Sequence, residues 1–190
     1  MIINASENNF SKEDIVDIIT KKYIAKKPSL LLLKRKKVWV KVDSIELFYF
    51  PFWIALMESA IHHKLVHPTF FRLLFALEEY TGKVGITVGI PRYKKQEVEG
   101  SSMIQIRHTE EEAKEKLLLY ASDYIAREKK VMPDISILEM RRIWRPIYLV
   151  SLRYCDGNSK TEIRRFIDGE SGVIVYRYDL YYKDIMASIF

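Results

Sequence analysis

Cysteine is nearly absent from this sequence: Cys155 is the only one among 190 residues, so no disulfide can form within the chain. Small extracellular domains often depend on such crosslinks, and a lone cysteine is more typical of a reducing compartment. Residues that interrupt regular structure are also scarce, with 7 glycines and 6 prolines. These shortages argue against long disordered segments and favour an ordered, cytoplasmic protein.

Long apolar segments are missing as well. The longest nearly uncharged apolar run is Leu47–Met57, well short of the roughly 20 residues that a membrane-spanning helix needs. Residues 1–9 contain neither the basic nor the apolar region of a secretory signal. We therefore expect no transmembrane segment.

No catalytic motif is present. The chain has no nucleotide-binding glycine loop, nucleophile elbow or zinc-protease helix motif, so we expect no enzymatic activity and no cofactor. Cys155 lies beside Asp156, whose charge disfavours a thiolate. His62, His63 and His67 are the one possible metal cluster, but no neighbouring cysteine or acidic ligand completes it. We expect no metal.

The chain instead contains an internal duplication. An aromatic–X–Pro motif, an acidic turn ending in glycine and a helix start each occur twice, in the same order and roughly 90 to 100 residues apart. The pairs are Tyr49–Ile54 with Trp144–Leu149, Leu77–Gly82 with Ile167–Gly172, and residues 11–14 with residues 109–112. A period near half the length indicates two copies of one structural unit.

Each copy begins with a predicted helix. Ser11 is a favourable N-cap with Asp14 in the first turn, and Pro28 ends the first helix. Thr109 and Glu112 form a capping-box pattern at the start of the second. The second helix has an apolar stripe of Ala113, Leu117, Tyr120, Ala121, Tyr124 and Ile125.

Strands are predicted after each helix. Alternation, β-branched residues and aromatics indicate strands over residues 38–42, 147–154, 164–167 and 173–178, with a hairpin turn at Asp156-Gly157. Residues 51–62 and 70–80 are ambiguous. Their apolar spacing fits two helices, whereas the duplication favours strands joined by a loop around His62–Pro68. We predict strands and keep two helices as the alternative.

The duplicated prolines add a positional prediction. Pro51 and Pro146 cannot donate a ladder hydrogen bond, so we expect each at a strand start, an edge or a bulge. The aromatic residues two positions after them, Trp53 and Tyr148, should be buried at equivalent places.

Together these patterns predict an α+β fold of two tandem repeats. Each repeat would be a helix packed on an antiparallel sheet of three to four strands. The predicted divisions are a first unit over residues 1–92, a linker over 93–108 and a second unit over 109–190.

The second unit resembles a known family. A helix, an aromatic-led strand at Tyr148–Leu152 and a strand ending in D-x-x-[ST]-G at Asp168–Gly172 resemble a PepSY-like module, and Leu77–Val84 is a weaker copy. The resemblance implies a cystatin-like helix across a sheet and an accessory, inhibitory or propeptide-like role, usually outside the cytoplasm. The chain lacks the Q-x-V-x-G loop of cystatin inhibitors, so the resemblance does not imply protease inhibition.

Two charged segments are candidate sites. Residues 12–41 contain ten Lys or Arg against three Asp or Glu, and Lys34, Arg35, Lys36 and Lys37 could form an anion-binding tip. The mixed guanidinium and aromatic groups of Arg142, Trp144 and Arg145 could bind an acidic partner. Without a ligand, the basic segment also fits a solvated hairpin tip, and the segment with Arg142, Trp144 and Arg145 also fits an edge strand.

These observations favour a non-enzymatic interaction protein that binds another protein or itself. The alternative is a protein that binds nucleic acid or an anionic surface through the basic N-terminal third.

Overall fold

The computed structural model describes residues 1–24, 38–63, 66–156, 159–179 and 182–187. Its elements in chain order are β1 (Ile2–Ser6), α1 (Lys12–Ile24), β2 (Val38–His63), β3 (Val66–Glu78), β4 (Lys83–Thr87), β5 (Tyr93–Glu97), α2 (Glu110–Lys129), β6 (Asp134–Asp156), β7 (Ser159–Asp168), α3 (Tyr176–Asp179) and α4 (Tyr182–Ala187). A short 3₁₀ turn at Gly100–Ser102 precedes α2.

The described strands form one seven-stranded sheet. Its order is β4-β3-β2-β6-β1-β5, and β7 pairs with β6. The predicted fold of two tandem helix-on-sheet repeats is therefore wrong. Two very long strands, β2 with 26 residues and β6 with 23, take the place of separate strands in separate sheets.

The chain forms two compact units, each discontinuous in sequence. Unit 1 comprises Met1–Ser6, Phe50–Val98 and Ile104–Trp144, and unit 2 comprises Glu7–Tyr49, Glu99–Met103 and Arg145–Phe190. Both take residues from either side of the segment 93–108 that the sequence suggests as a linker. Within that segment, Tyr93–Glu97 is strand β5, antiparallel to β1.

The core of unit 1 lies between α2 and the hairpin of β2 and β3. The buried face of α2 repeats every fourth residue, as the predicted stripe requires, and its members are Ala113, Leu117, Ala121 and Ile125. The first three pack with Trp53, Ala55, Met57, Phe75 and Leu77 of the two strands. The rings of Tyr120 and Tyr124 contact Phe75 edge-on at 6.1 and 6.2 Å between centroids.

The core of unit 2 lies between α1 and the hairpin of β6 and β7. Ile15 and Ile19 of α1 are fully buried, and they pack with Tyr148, Val150, Leu152, Ile167 and Ile174. Each helix thus covers a hairpin from the other half of the sequence. A repeated order of elements does not specify which hairpin a helix covers, which is why the duplication pointed to the wrong architecture.

Both helix starts have the predicted caps. Thr109 Oγ1 accepts from Glu112 N at 3.2 Å, and Glu112 Oε2 accepts from Thr109 N at 2.9 Å. The second bond holds the pKa of Glu112 below its usual value. Ser11 and Asp14 make the same reciprocal pair in unit 2, and the Ser11 hydroxyl lowers the pKa of Asp14.

Residues 51–62 and 70–78 form strands, so the choice of strands over helices is confirmed. The expected loop around His62–Pro68 is much shorter than predicted, because β2 continues to His63 and β3 begins at Val66. The β2–β3 ladder runs from Phe52↔Glu78 to His63↔Val66. Helical apolar spacing in these segments therefore reflects packing on both faces of a sheet.

Each proline lies inside a long strand, not at its start. Pro51 is one residue before the β2–β3 ladder, and Pro146 is one residue before the β6–β7 ladder. Their carbonyl groups accept hydrogen bonds from Glu79 N at 3.1 Å and from Gly169 N at 2.8 Å. The positions thus mark where each strand begins to pair with its hairpin partner, so no hairpin-ladder donor is lost.

The residues after the prolines are equivalent as predicted. Trp53 is opposite Leu77, Tyr148 is opposite Ile167, and both rings are buried. The Tyr148 hydroxyl donates to the Phe10 carbonyl at 2.8 Å. A buried aromatic residue at the second ladder position is therefore common to both hairpins.

The strand predicted over residues 173–178 is wrong. Among the described residues after Gly172, the one bridge is Ile167↔Ile174, and helix α3 then begins at Tyr176. The Tyr178 ring is fully buried and packs edge-on against Phe166 at 5.5 Å. A short helix places this large ring in the core, which overrides the local β propensity.

Candidate functional site

An open apolar cleft lies in unit 1, between the C-terminal end of α2, the end of β2 and the beginning of β3. Its volume is about 540 Å³. The lining residues are Ile61, Thr69, Phe71, Leu73, Tyr124, Ile125, Glu128, Lys129 and Val131. Seven of these nine carry no formal charge, so the cleft offers mainly apolar surface.

The cleft exists because the hairpin extends beyond the helix that covers it. Alternate β3 residues face α2, and Phe75 and Leu77 are fully buried beneath it. The helix ends at Lys129, where Lys130 adopts a left-handed conformation with φ 57°. Phe71 and Leu73, on the same strand face, are only partly buried.

The two charged side chains that line the cleft are Glu128 and Lys129, and further basic residues lie next to them in the chain. Arg127, Glu128, Lys129 and Lys130 are all exposed at the end of α2. The ammonium of Lys129 lies 6.0 Å from the centre of the Phe71 ring. Basic groups here also complement the negative end of the helix dipole.

One edge of β3 is open beside this cleft. Strand β4 pairs only with Leu74–Glu78 of β3. Along the described strands, no neighbour lies on that side of His67–Leu73. The cleft therefore combines apolar side chains with a segment of sheet edge.

The predicted partner-binding residues in unit 1 are largely engaged within the protein. Arg142 Nε is 2.6 Å from Glu79 Oε1, and Arg142 Nη2 donates to the His108 carbonyl at 3.1 Å. The guanidinium also stacks on Trp53, 4.4 Å from the ring centre, while Trp144 is buried. Because Glu79 is fully buried, this ion pair satisfies a charge that would otherwise be costly.

The third predicted partner-binding residue, Arg145, belongs to unit 2. Its Nη2 is 2.6 Å from Asp168 Oδ2 and 3.1 Å from Glu170 Oε2. Asp168 Oδ1 in turn accepts from the backbone nitrogens of Glu170 and Ser171 at 2.8 and 3.1 Å. Arg142 and Arg145 thus stabilise two different acidic turns, and the structure does not bring them together as one exposed cluster.

The four predicted anion-binding residues lie outside the described residues; they are Lys34, Arg35, Lys36 and Lys37. Two lysines of the preceding helix already have partners in unit 2. Lys21 Nζ is 2.5 Å from Asp17 Oδ2, and Lys22 Nζ lies 5.0 Å from the centre of the Tyr176 ring.

One ion-pair geometry is present in the histidine segment. His62 Nε2 is 2.9 Å from Asp134 Oδ2, with both side chains exposed. In the part of the chain that the structure describes, no group of three or more His, Cys, Asp or Glu could hold a metal ion. Cys155 is buried opposite Lys160 in the β6–β7 ladder.

No protein-family model, curated protein or solved structure matches the chain. Among the helices of the described residues, none is long and apolar enough to cross a membrane.

Sequence reasoning did not identify the cleft. Tyr124 and Ile125 were recognised as part of a packing stripe, but nothing in the pattern shows that the hairpin extends beyond the end of α2. The available signal is the i, i+2 series Thr69, Phe71 and Leu73, which becomes visible only once residues 70–80 are assigned to a strand.

Proposed function

We propose that the protein is a non-enzymatic binding protein whose site is the apolar cleft at the end of α2. The observation that supports this is the cleft itself, about 540 Å³ in volume and lined mainly by apolar side chains. Binding sites typically have volumes of roughly 300–1,000 Å³, with apolar walls and a few polar groups. Lys129 and Glu128 supply the charged groups here.

The lining favours binding over catalysis. General acid–base or nucleophilic chemistry needs ionisable groups held within hydrogen-bond reach of each other and partly removed from water. Glu128 and Lys129 are exposed side chains at the rim. The interior surface comes instead from aliphatic and aromatic residues.

The proposed ligand is another protein, with self-association as the other form of the same activity. Binding of nucleic acid by residues 34–37 stays a separate prediction, tested below by its salt dependence.

A matched pair of phenylalanines on β3 tests the site. Phe71 lines the cleft, whereas its neighbour Phe70 faces the opposite side of the sheet and is 62% exposed. The apolar dye 8-anilinonaphthalene-1-sulfonate, titrated into the folded protein, should bind one site per chain. Phe71→Ala should weaken this binding by about fivefold or more, because a buried aromatic contact contributes roughly 1.5–3 kcal/mol, and Phe70→Ala should leave it within about twofold.

The same pair should separate specific partners from background. Proteins enriched from source cells by the wild type and by Phe70→Ala, but lost with Phe71→Ala, would support the proposal. Equal dye binding and equal enrichment by both variants, with unchanged circular dichroism, would exclude the cleft as the binding site.

A further inference from the structure

We infer that the cleft binds an extended peptide segment of a partner protein, which adds as a strand to the open edge of β3. The inference rests on the proposed function and specifies its ligand. The peptide would pair with His67–Leu73, place alternate apolar side chains in the cleft and carry acidic residues that face the basic end of α2.

The first support is the unpaired backbone. In the described part of the sheet, β4 ends its pairing with β3 at Thr87↔Leu74. The rest of β3 includes the seven residues from His67 to Leu73, and Thr69–Leu73 pair with β2 on the inner side. Seven residues of extended chain span roughly 23 Å, which is sufficient for strand addition, a common mode of peptide recognition.

The second support is the register of the side chains along that segment. Thr69, Phe71 and Leu73 face the cleft. A strand paired beside them would direct every second side chain to the same face of the sheet. The cleft would thus accept residues i, i+2 and i+4 of the peptide, while backbone hydrogen bonds would fix its register.

The third support is charge. Arg127, Glu128, Lys129 and Lys130 are exposed at the end of α2, where Glu128 and Lys129 line the cleft, so this end of the helix carries three basic groups and one acidic group. On the opposite face of β3, Arg72 Nε is 3.0 Å from Glu58 Oε1, so its charge is balanced within the protein. The unbalanced basic charge favours an acidic peptide over a neutral or basic one.

The test begins with dodecapeptides selected from a random phage-displayed library on the full-length protein. The selected sequences should have apolar residues at alternate positions and net negative charge. A synthetic peptide from the selection is then N-methylated at every second backbone nitrogen, in two complementary sets. In an antiparallel pair the amides point alternately toward and away from the neighbour, so one set should weaken binding at least tenfold and the other less than threefold.

Protein variants locate the site. Lys129→Glu should weaken the same peptide at least fivefold and reduce the salt dependence of its affinity. The control, Lys114→Glu, changes an exposed lysine near the other end of the same helix and should have less than a twofold effect. Phe71→Ala should weaken the peptide at least fivefold.

The outcomes separate this inference from the proposed function. Binding that depends on Phe71 but is affected equally by both N-methylated sets would overturn strand addition and leave the cleft as a binding site. Selection of no peptide, or of peptides indifferent to Phe71→Ala, would overturn the inference, and in the second case the cleft would lose support too. A concentration-dependent dimer abolished by Phe71→Ala, with no peptide bound, would assign the edge to a second copy of the chain.

Discussion

Gly82 and Gly172 provide a controlled comparison of two equivalent turns. Each ends a hairpin turn with a left-handed backbone, with φ of 67° and 68°. Each donates its amide to the residue four positions earlier, Glu78 O at 2.9 Å and Asp168 O at 2.7 Å. Substitution by alanine imposes the same backbone penalty at both, about 1–2 kcal/mol, partly offset by the reduced entropy of the unfolded chain.

The surroundings of the two glycines differ. A Cβ at Gly82 would lie 3.6 Å from Lys116 Nζ, an ordinary contact with a flexible chain end. A Cβ at Gly172 would lie 2.9 Å from Phe10 Cζ and 3.1 Å from Ile18 Cδ1. Both of those side chains pack against the core of unit 2, so the ring must move and disturb its neighbours. Overpacking of this kind typically costs about 1–3 kcal/mol.

We therefore expect Gly82→Ala to destabilise the protein by about 1 kcal/mol and Gly172→Ala by about 2–4 kcal/mol. Urea unfolding followed by circular dichroism, with the slope of each transition compared with the wild type, measures both. A second pair of variants adds Phe10→Leu to each background, which should remove much of the extra cost at Gly172 and none at Gly82. Equal costs for the two glycines would refute the argument that the Phe10 ring fills the space beside Gly172.

Four further predictions concern the α2 cap and the charged residues. Thr109→Ala should cost about 1 kcal/mol in urea unfolding by loss of the α2 cap. The pKa of Glu112 is lower in the folded state than in the unfolded state. The stability that the Glu112 carboxylate contributes is therefore complete above its unfolded-state pKa and is lost as the pH falls through its folded-state pKa. A Glu112→Gln variant should lose less stability on acidification than the wild type. Arg142→Ala should cost about 3–5 kcal/mol by removing the ion-pair partner of buried Glu79, which would keep the Arg107 N–H as a donor. Adding Glu79→Gln should recover part of that loss, as a double-mutant cycle would show. If residues 34–37 bind duplex DNA, a gel-retardation series in salt should give a log–log slope near −0.9 per phosphate contacted, whereas we expect only weak binding at low salt and none near 150 mM.

Local features were predictable because they depend on near neighbours. The helix starts at Ser11 and Thr109 follow from residues three positions apart, and both caps form as expected. The burial of Trp53 and Tyr148 follows from strand alternation after a proline. Each of these features needs only a few residues of context, and for that reason the duplication located them correctly in both halves.

The architecture was not predictable in the same way, because it depends on which surfaces pair over long sequence separations. The stripe of α2 specifies an apolar partner but not whether Trp53 or Tyr148 supplies it. In the structure α2, from the second half of the sequence, packs with Trp53 of the first half. Helix α1, from the first half, packs with Tyr148 of the second half. Each sequence half repeats the same order of helix and strands, so the sequence pattern is equally consistent with either pairing.

The candidate site was missed for a related reason. A cleft at the end of a helix depends on the relative lengths of two elements that the sequence delimits only approximately. The predicted loop around His62–Pro68 left four residues at the start of β3 out of the strand. That loop would have taken Thr69, which lines the cleft, out of the strand.

The edges of the sheet give an independent reason to assign binding to β3. Open strand edges invite unwanted pairing, and proteins commonly protect them with charged residues or with very short strands. Edge strand β5 carries exposed Lys94 and Lys95, and edge strand β4 has five residues. The open segment of β3 has Pro68 at one end but places Phe70 and Phe71 at its centre, with the charge of Arg72 balanced by Glu58. These two edges are protected in ways that oppose pairing, whereas the segment beside the cleft retains aromatic surface and has no neighbour on that side among the described strands. This contrast is expected if pairing at that segment is the function for which it is kept open.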